Sequence, residues 1–143
     1  MTHGIDTGFL VAAEVADHPD HQAARLKFEG FRNSGDRFAL VPQVLAEFVH
    51  VVTDPKRFTQ PLTMEQALER AEIWWESPEV DQLGSDAFSV RTFFAWMRQH
   101  RLGRKRILDT LLASTFREAG VQSILTTNAR DFAVLGRFDC VVP

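Results

Sequence analysis

Apolar residues along this chain fall into short blocks whose period alternates between that of strands and that of helices. His3 to Asp6 predicts a short strand, and the apolar run from about Thr7 to Ala16 predicts a helix. A second helix spans about Pro19 to Asn33 and is closed by Ser34-Gly35-Asp36. Arg37 to Val41, RFALV, is short and apolar enough for a buried strand, and Pro42 suits the first turn of a helix reaching about Thr53. Met64, Leu68, Ala71 and Trp75 recur at four-three-four spacing, which predicts an amphipathic helix over residues 63–76, begun by Leu62 or Thr63 and followed by Pro78. Glu79 to Leu83 predicts a third strand, and Asp86 to His100 a helix with Phe93, Phe94 and Met97 turned inward. A further helix, about Arg106 to Ala119, stops at Gly120 in the favoured C-cap position. Val121 to Thr127 then reads as a strand, followed by a short helical turn and a last strand near Phe138 to Val142.

Such alternation predicts an α/β domain with a mainly parallel sheet, and in that architecture polar ligand sites lie beyond the carboxyl ends of the strands. No repeat, low-complexity tract or long Pro/Gly/Ser linker interrupts the pattern, so residues 1–143 read as one domain. Composition agrees, since 45% hydrophobic and 24% charged residues exclude disordered, collagenous and coiled-coil classes. The single cysteine, Cys140, has no disulfide partner and no zinc-ligand neighbours, and reads as a small buried apolar residue. The first residues, MTHGIDTGFLVAAEVADH, lack a basic region, and Asp6 and Glu14 interrupt their apolar stretch. Neither a signal peptide nor a membrane span fits, and a cytoplasmic location is expected.

A net charge of -3 does not advertise a polyanion partner, so any such site must be local. The segment Arg98 to Arg106, RQHRLGRKR, is the obvious candidate, with a solvated helix end as the alternative. His18 and His21 form an HxxH pair, but without further ligands they read as surface histidines. His50 lies on the helical face of Glu47 and reads as an ordinary polar position. Phe58, Trp74, Trp75 and Trp96 are candidate contact residues if exposed, although aromatics at helical spacing more often face the core.

Candidate chemistry rests on acids in four separate segments. Asp6 lies where the first strand meets the first helix, and serves either as an N-cap or as a group facing the sheet-end crevice. Glu47 is surrounded by Val44, Leu45, Phe48, Val49 and Val51 in a helix expected to be largely buried, where a carboxylate needs a metal or an arginine partner. Asp109 is similarly isolated in ILDTLLASTF, with interaction at the helix N-terminus as its simpler role. Asp131 and Asn128 follow the strand SILTT, and either could cap the turn or reach the crevice. Clustered carboxylates repel one another, whereas one or two hard cations such as Mg²⁺ or Mn²⁺ favour such oxygen ligands.

The ordered set GIDTGFLVA, VLAEFVHVVTDP, ILDTLLAST and LTTNARDF resembles the PIN-domain nucleases, and within them the VapC-type toxins of toxin–antitoxin pairs, over nearly the whole chain. The resemblance implies a three-layer α/β/α domain with a sheet of about five strands and a metal-dependent ribonuclease activity. Asp6 and Asp109 match the principal metal-binding acids, Glu47 the second acid and Asp131 the last. Two departures stand out: the family's fourth acid often occupies the position of Asn128, and Gly8 replaces the usual Asn or Ser, leaving Thr7 as the nearby hydroxyl. Thr126 and Thr127 are placed to support the site, and Arg104, Lys105 and Arg106 to steer the RNA backbone. A small antitoxin offering a basic side chain, and a homodimer, complete the implied partners. A catalytically silent PIN-like module is the alternative from another class. An aspartyl-phosphate phosphatase is disfavoured because Gly8 stands where its second Asp belongs.

Overall fold

The computed structural model describes residues 1–143, which form five strands and seven α-helices. In chain order these are β1 (Thr2–Ile5), α1 (Thr7–Glu14), α2 (His21–Asn33), β2 (Arg37–Leu40), α3 (Pro42–Val52), α4 (Met64–Trp75) and β3 (Val80–Gln82). Then follow α5 (Ala87–Gln99), a 3-10 turn (Arg104–Arg106), α6 (Ile107–Glu118), β4 (Ser123–Leu125), α7 (Arg130–Ala133) and β5 (Asp139–Val141). All strands are parallel, in the order β3-β2-β1-β4-β5. The chain builds outward from β1 to β3 on one side and then crosses to β4 and β5 on the other. Strand order therefore reverses between β1 and β4, which opens a crevice at their carboxyl ends. There Ile5 lies opposite Leu125, and the Asp6 N–H donates to the Leu125 carbonyl at 3.0 Å.

Helices α1 to α4 pack on one another, α5 to α7 form a second group, and the sheet lies between them in a three-layer α/β/α arrangement. The core is one contiguous cluster centred on Ile5, Phe9, Phe38, Phe48, Phe116 and Leu125. Gly4 admits Phe116 of α6 onto β1, since a Cβ at Gly4 would stand 2.6 Å from that ring. Gly120, at φ 77, ends α6 in a backbone conformation that glycine adopts without strain. No helix is long and apolar enough to cross a membrane.

Two helices turn a different face inward from the one their spacing predicts. In α4 the buried residues are Ala67, Ala71 and Trp74, while Met64 and Leu68 are exposed. Small alanines let α4 approach its neighbours, and the Trp74 indole N–H donates to Glu14 Oε1 at 2.6 Å while its ring packs on Phe28. In α5, Asp86 and Ser89 form a capping box that draws Ser89 inward, and Trp96, two turns on, follows on the same face. Phe94 consequently points to solvent, and Phe93 and Met97 are half-buried. Trp74 and Trp96 are thus core residues. Helix α3 buries only Val44, Phe48 and Val52, less than its composition implied, and Cys140 is half-buried on the edge strand β5.

Replacement of Gly4 by Ala is expected to lower stability by about 1–3 kcal/mol, the usual cost of overpacking a tight core. Urea unfolding of Gly4→Ala beside the parent checks this, and an unchanged midpoint would show that Phe116 yields freely.

Candidate active site

A cavity of about 740 Å³ collects Asp6, Glu47, Asp109 and Asp131, together with Thr7, Thr127 and Asn128, on its wall. Asp6 caps α1 directly after β1. Its Oδ1 accepts the Thr7 N–H at 2.8 Å and its Oδ2 accepts the Thr126 hydroxyl at 2.8 Å. The capping role and the crevice-facing role are therefore one arrangement. Thr126 is fully buried at the end of β4, and its Oγ1 also accepts the Asn128 N–H at 3.0 Å, so the two strand ends are locked together through Asp6.

Glu47 is half-buried on α3, and its Oε2 accepts the Thr7 hydroxyl at 3.2 Å. Its partner is a neutral hydroxyl, and no arginine pairs with it. Asp109 stands in the first turn of α6, where the helix dipole favours negative charge. Asp131, on α7, is engaged at both oxygens: the Arg106 guanidinium donates to Oδ1, and the Asn128 amide donates to Oδ2 at 2.5 Å. Asn128 and Asp131 are thus hydrogen-bonded neighbours in one cavity.

Mutual crowding shifts the acids. Burial, followed by the charges of Asp6 and Asp131, pushes the Asp109 carboxyl up to about 7. Burial also raises Asp6, against the lowering effect of its Thr126 and Thr7 hydrogen bonds. Carboxylates, hydroxyls and an amide make an all-oxygen donor set of the kind hard divalent cations take. As placed, no three His, Cys, Asp or Glu side chains enclose an ion by themselves. The residues fit a cation held by one or two carboxylates, with waters completing the shell, which is the habit of Mg²⁺.

Other sequence candidates fall differently. Arg104 and Lys105 are exposed and lie outside the cavity lining, whereas Arg106 is half-buried against Asp131. His50 is exposed and also lies outside the lining. His18 does line the cavity, while the ring of His21 bonds the Ala12 carbonyl, so the HxxH pair does not converge. A side chain at position 8 would collide with the Thr127 hydroxyl, which occupies the space that a residue larger than Gly8 would fill. Asp17, Arg57, Phe58 and Thr59 also line the cavity. Nothing in their local sequence marks Asp17, Arg57 and Thr59, because only the folding of two loops toward the crevice brings them there.

No family model matches the chain. It is 28% identical over 132 residues to ribonuclease VapC24 of Mycobacterium tuberculosis, covering 92% of this chain and 90% of that protein. The structure of Mycobacterium tuberculosis VapC20, described as a sarcin-ricin loop cleaving toxin, superposes with a TM-score of 0.72 at 20% identity over 100% of both chains. VapBC2 of Rickettsia felis, solved with a DNA fragment from its promoter, gives 0.69 at 19% identity over 100% of this chain and 99% of that one. VapBC-1 of nontypeable Haemophilus influenzae gives 0.69 at 16% identity over 99% and 98%. The five-stranded parallel sheet between helical layers is the PIN-like α/β/α fold. In sequence the chain is similar to ribonuclease VapC24, and in fold to the VapC proteins of these solved structures.

The raised carboxyl of Asp109 carries a signed prediction. Its folded value of about 7 exceeds the usual 3.8, so the folded protein keeps a proton that the unfolded chain has lost between those limits. Without divalent metal, stability should fall as pH rises from about 4 to about 7. Asp109→Asn should flatten that fall and leave the variant more stable than the parent at pH 7 and above. Thermal melts in chelator across this range check it, and parallel pH profiles for the two proteins would contradict it.

Proposed function

We propose that the chain is a Mg²⁺- or Mn²⁺-dependent endoribonuclease, a single catalytic domain acting as the toxin of a toxin–antitoxin pair. The observation that carries this reading is the gathering of four acids, each from a different segment, around the crevice where strand order reverses. Burial, and then the charges of its neighbours, raise the Asp109 carboxyl to about 7, an arrangement that favours a bound cation over an empty site. The ribonuclease and toxin descriptions of VapC24 and VapC20 support the same reading.

In this reading Asp6 and Asp109 hold the principal ion, with Glu47 and Asp131 beside it and room for a second ion when substrate phosphate arrives. A bound Mg²⁺ or Mn²⁺ supplies positive charge to a nonbridging phosphate oxygen and acidifies a water for in-line attack. The protein's own contribution is orientation. Thr126 and the Thr7 N–H fix both oxygens of Asp6, so its carboxylate cannot rotate out of the crevice. Thr7 holds Oε2 of Glu47, leaving Oε1 to accept a hydrogen bond from the attacking water. Asp109 would meet the cation as a carboxylate, the form in which it can serve as a ligand. Asn128 and Arg106 hold Asp131 at the rim, where the Arg106 guanidinium offsets the charge of that acid.

The partner of such a toxin is a small antitoxin, and the VapBC assemblies that share this fold support that assignment. A basic antitoxin side chain entering the acidic crevice, a homodimeric toxin and action in the cytoplasm complete the proposal. Two observations favour the silent-module reading: both Asp131 oxygens are already engaged, and no three acids enclose an ion as placed.

Cleavage of RNA in Mn²⁺ separates these readings. Asp6→Asn and Asp109→Asn should each lower the rate by more than about 100-fold, and Thr126→Val, which frees Asp6, by about 10–100-fold. Circular dichroism melts establish that the variants are folded. Unchanged cleavage by folded Asp6→Asn and Asp109→Asn proteins would sink the assignment.

A further inference from the structure

Two loops outside the carboxylate cluster form part of the same cavity wall: Asp17 to Pro19, between α1 and α2, and Arg57 to Thr59, between α3 and α4. The second loop is built rather than slack. The Asp54 carbonyl accepts the N–H groups of Arg57 and Phe58 at 3.1 and 3.2 Å, and the Asp54 carboxylate accepts the Lys56 N–H at 2.9 Å. The Leu62 N–H closes the loop on the Val52 carbonyl at 2.9 Å. This frame sets the backbone from which Arg57 and Phe58 line the cavity.

Each exposed group has a distinct chemistry. Among the lining residues, Arg57 is the only Arg or Lys beside the acids Asp6, Asp17, Glu47, Asp109 and Asp131. It touches Asp54 only through Nε at 3.6 Å, and its side chain is 61% exposed, so its terminal amino groups are free. His18 accepts the Asp20 N–H at Nδ1, 3.0 Å away, which leaves the proton of the neutral ring on Nε2 as a donor. Phe58 is half-buried, packed against the core on one part and lining the cavity with another. A cation, an N–H donor and an aromatic surface lining one cavity are the elements that bind a nucleotide of a single strand: phosphate, sugar-phosphate oxygen and base. A crevice so rich in acids repels the phosphates flanking the scissile one, and an arginine at its wall offsets that repulsion for one of them.

We propose that Arg57, His18 and Phe58 form a subsite for the nucleotide next to the cleaved bond of a single-stranded RNA segment. Arg57 binds its phosphate, the His18 Nε2–H donates to a sugar-phosphate oxygen, and Phe58 receives the base. The subsite rests on the ribonuclease reading and assigns substrate positioning to the α3–α4 loop rather than to Arg104 and Lys105, which lie outside the cavity.

The test is cleavage of a random-sequence RNA pool in Mn²⁺, with cut ends sequenced and rates measured against RNA and salt concentration. Arg57→Gln should raise KM by about 10-fold at nearly unchanged kcat. It should also reduce the salt slope of binding by about 0.7, the loss of one single-strand phosphate contact. Arg57→Lys should recover part of the affinity, and Phe58→Leu should alter the base preference beside the cut. If the parent cleaves and these variants match it in KM, salt slope and base preference, the subsite is overturned while the ribonuclease reading stands. A parent protein that cuts nothing in the pool overturns both.

Discussion

Parallel pairing of β1 with β4 is the constraint on which the rest depends. Because Ile5 and Leu125 are register partners, the chain leaves both strands side by side, and Asp6 and Thr126 emerge within one hydrogen bond of each other. Gly4 makes the pairing compatible with a close α6, since Phe116 lies where a Cβ would otherwise be. That approach brings the first turn of α6, and Asp109 with it, to the same crevice. A change that loosened β1 against β4 or α6 would separate the acids and open the core around Ile5, Phe116 and Leu125.

The cost of this arrangement is electrostatic. Asp6, Glu47, Asp109 and Asp131 share a partly buried space, where the carboxyls of Asp6 and Asp109 are raised chiefly by burial and then by their neighbours. The protein answers with hydrogen bonds that are already in place: Thr7 and Thr126 to Asp6, Thr7 to Glu47, and Asn128 and Arg106 to Asp131. Asp109 stands apart, because desolvation and repulsion move its proton affinity furthest, to about 7. Local stability is sacrificed at a place where a cation would restore it, a pattern common to functional sites.

Strand–helix alternation was legible in the chain because each strand is a short apolar run bounded by turn chemistry, and the parallel sheet followed from that alternation. Asp6, Glu47, Asp109 and Asp131 were also visible, as acids standing in apolar surroundings, and the fold brings all four to one cavity. Helix phase was less legible. The period in α4 fits two adjacent faces, and small Ala67 and Ala71 with the Trp74–Glu14 hydrogen bond select the one that Met64 and Leu68 do not share. In α5 the Asp86–Ser89 cap sets the phase, so Trp96 rather than Phe94 enters the core. Arg106 looked like one member of a basic run, yet its partner Asp131 lies in another segment. His18, Arg57 and Phe58 line one cavity from two loops, a relation that residue spacing does not encode.

The central claim is that the crowded acids at the β1–β4 switch point form a divalent cation site. Its most direct measurement is the anomalous difference density of crystals grown with Mn²⁺. The account predicts a peak in the cavity with carboxylate oxygens of Asp6 and Asp109 among its ligands. Well-ordered crystals with no peak there at saturating Mn²⁺, or with a peak only elsewhere on the protein, would contradict it.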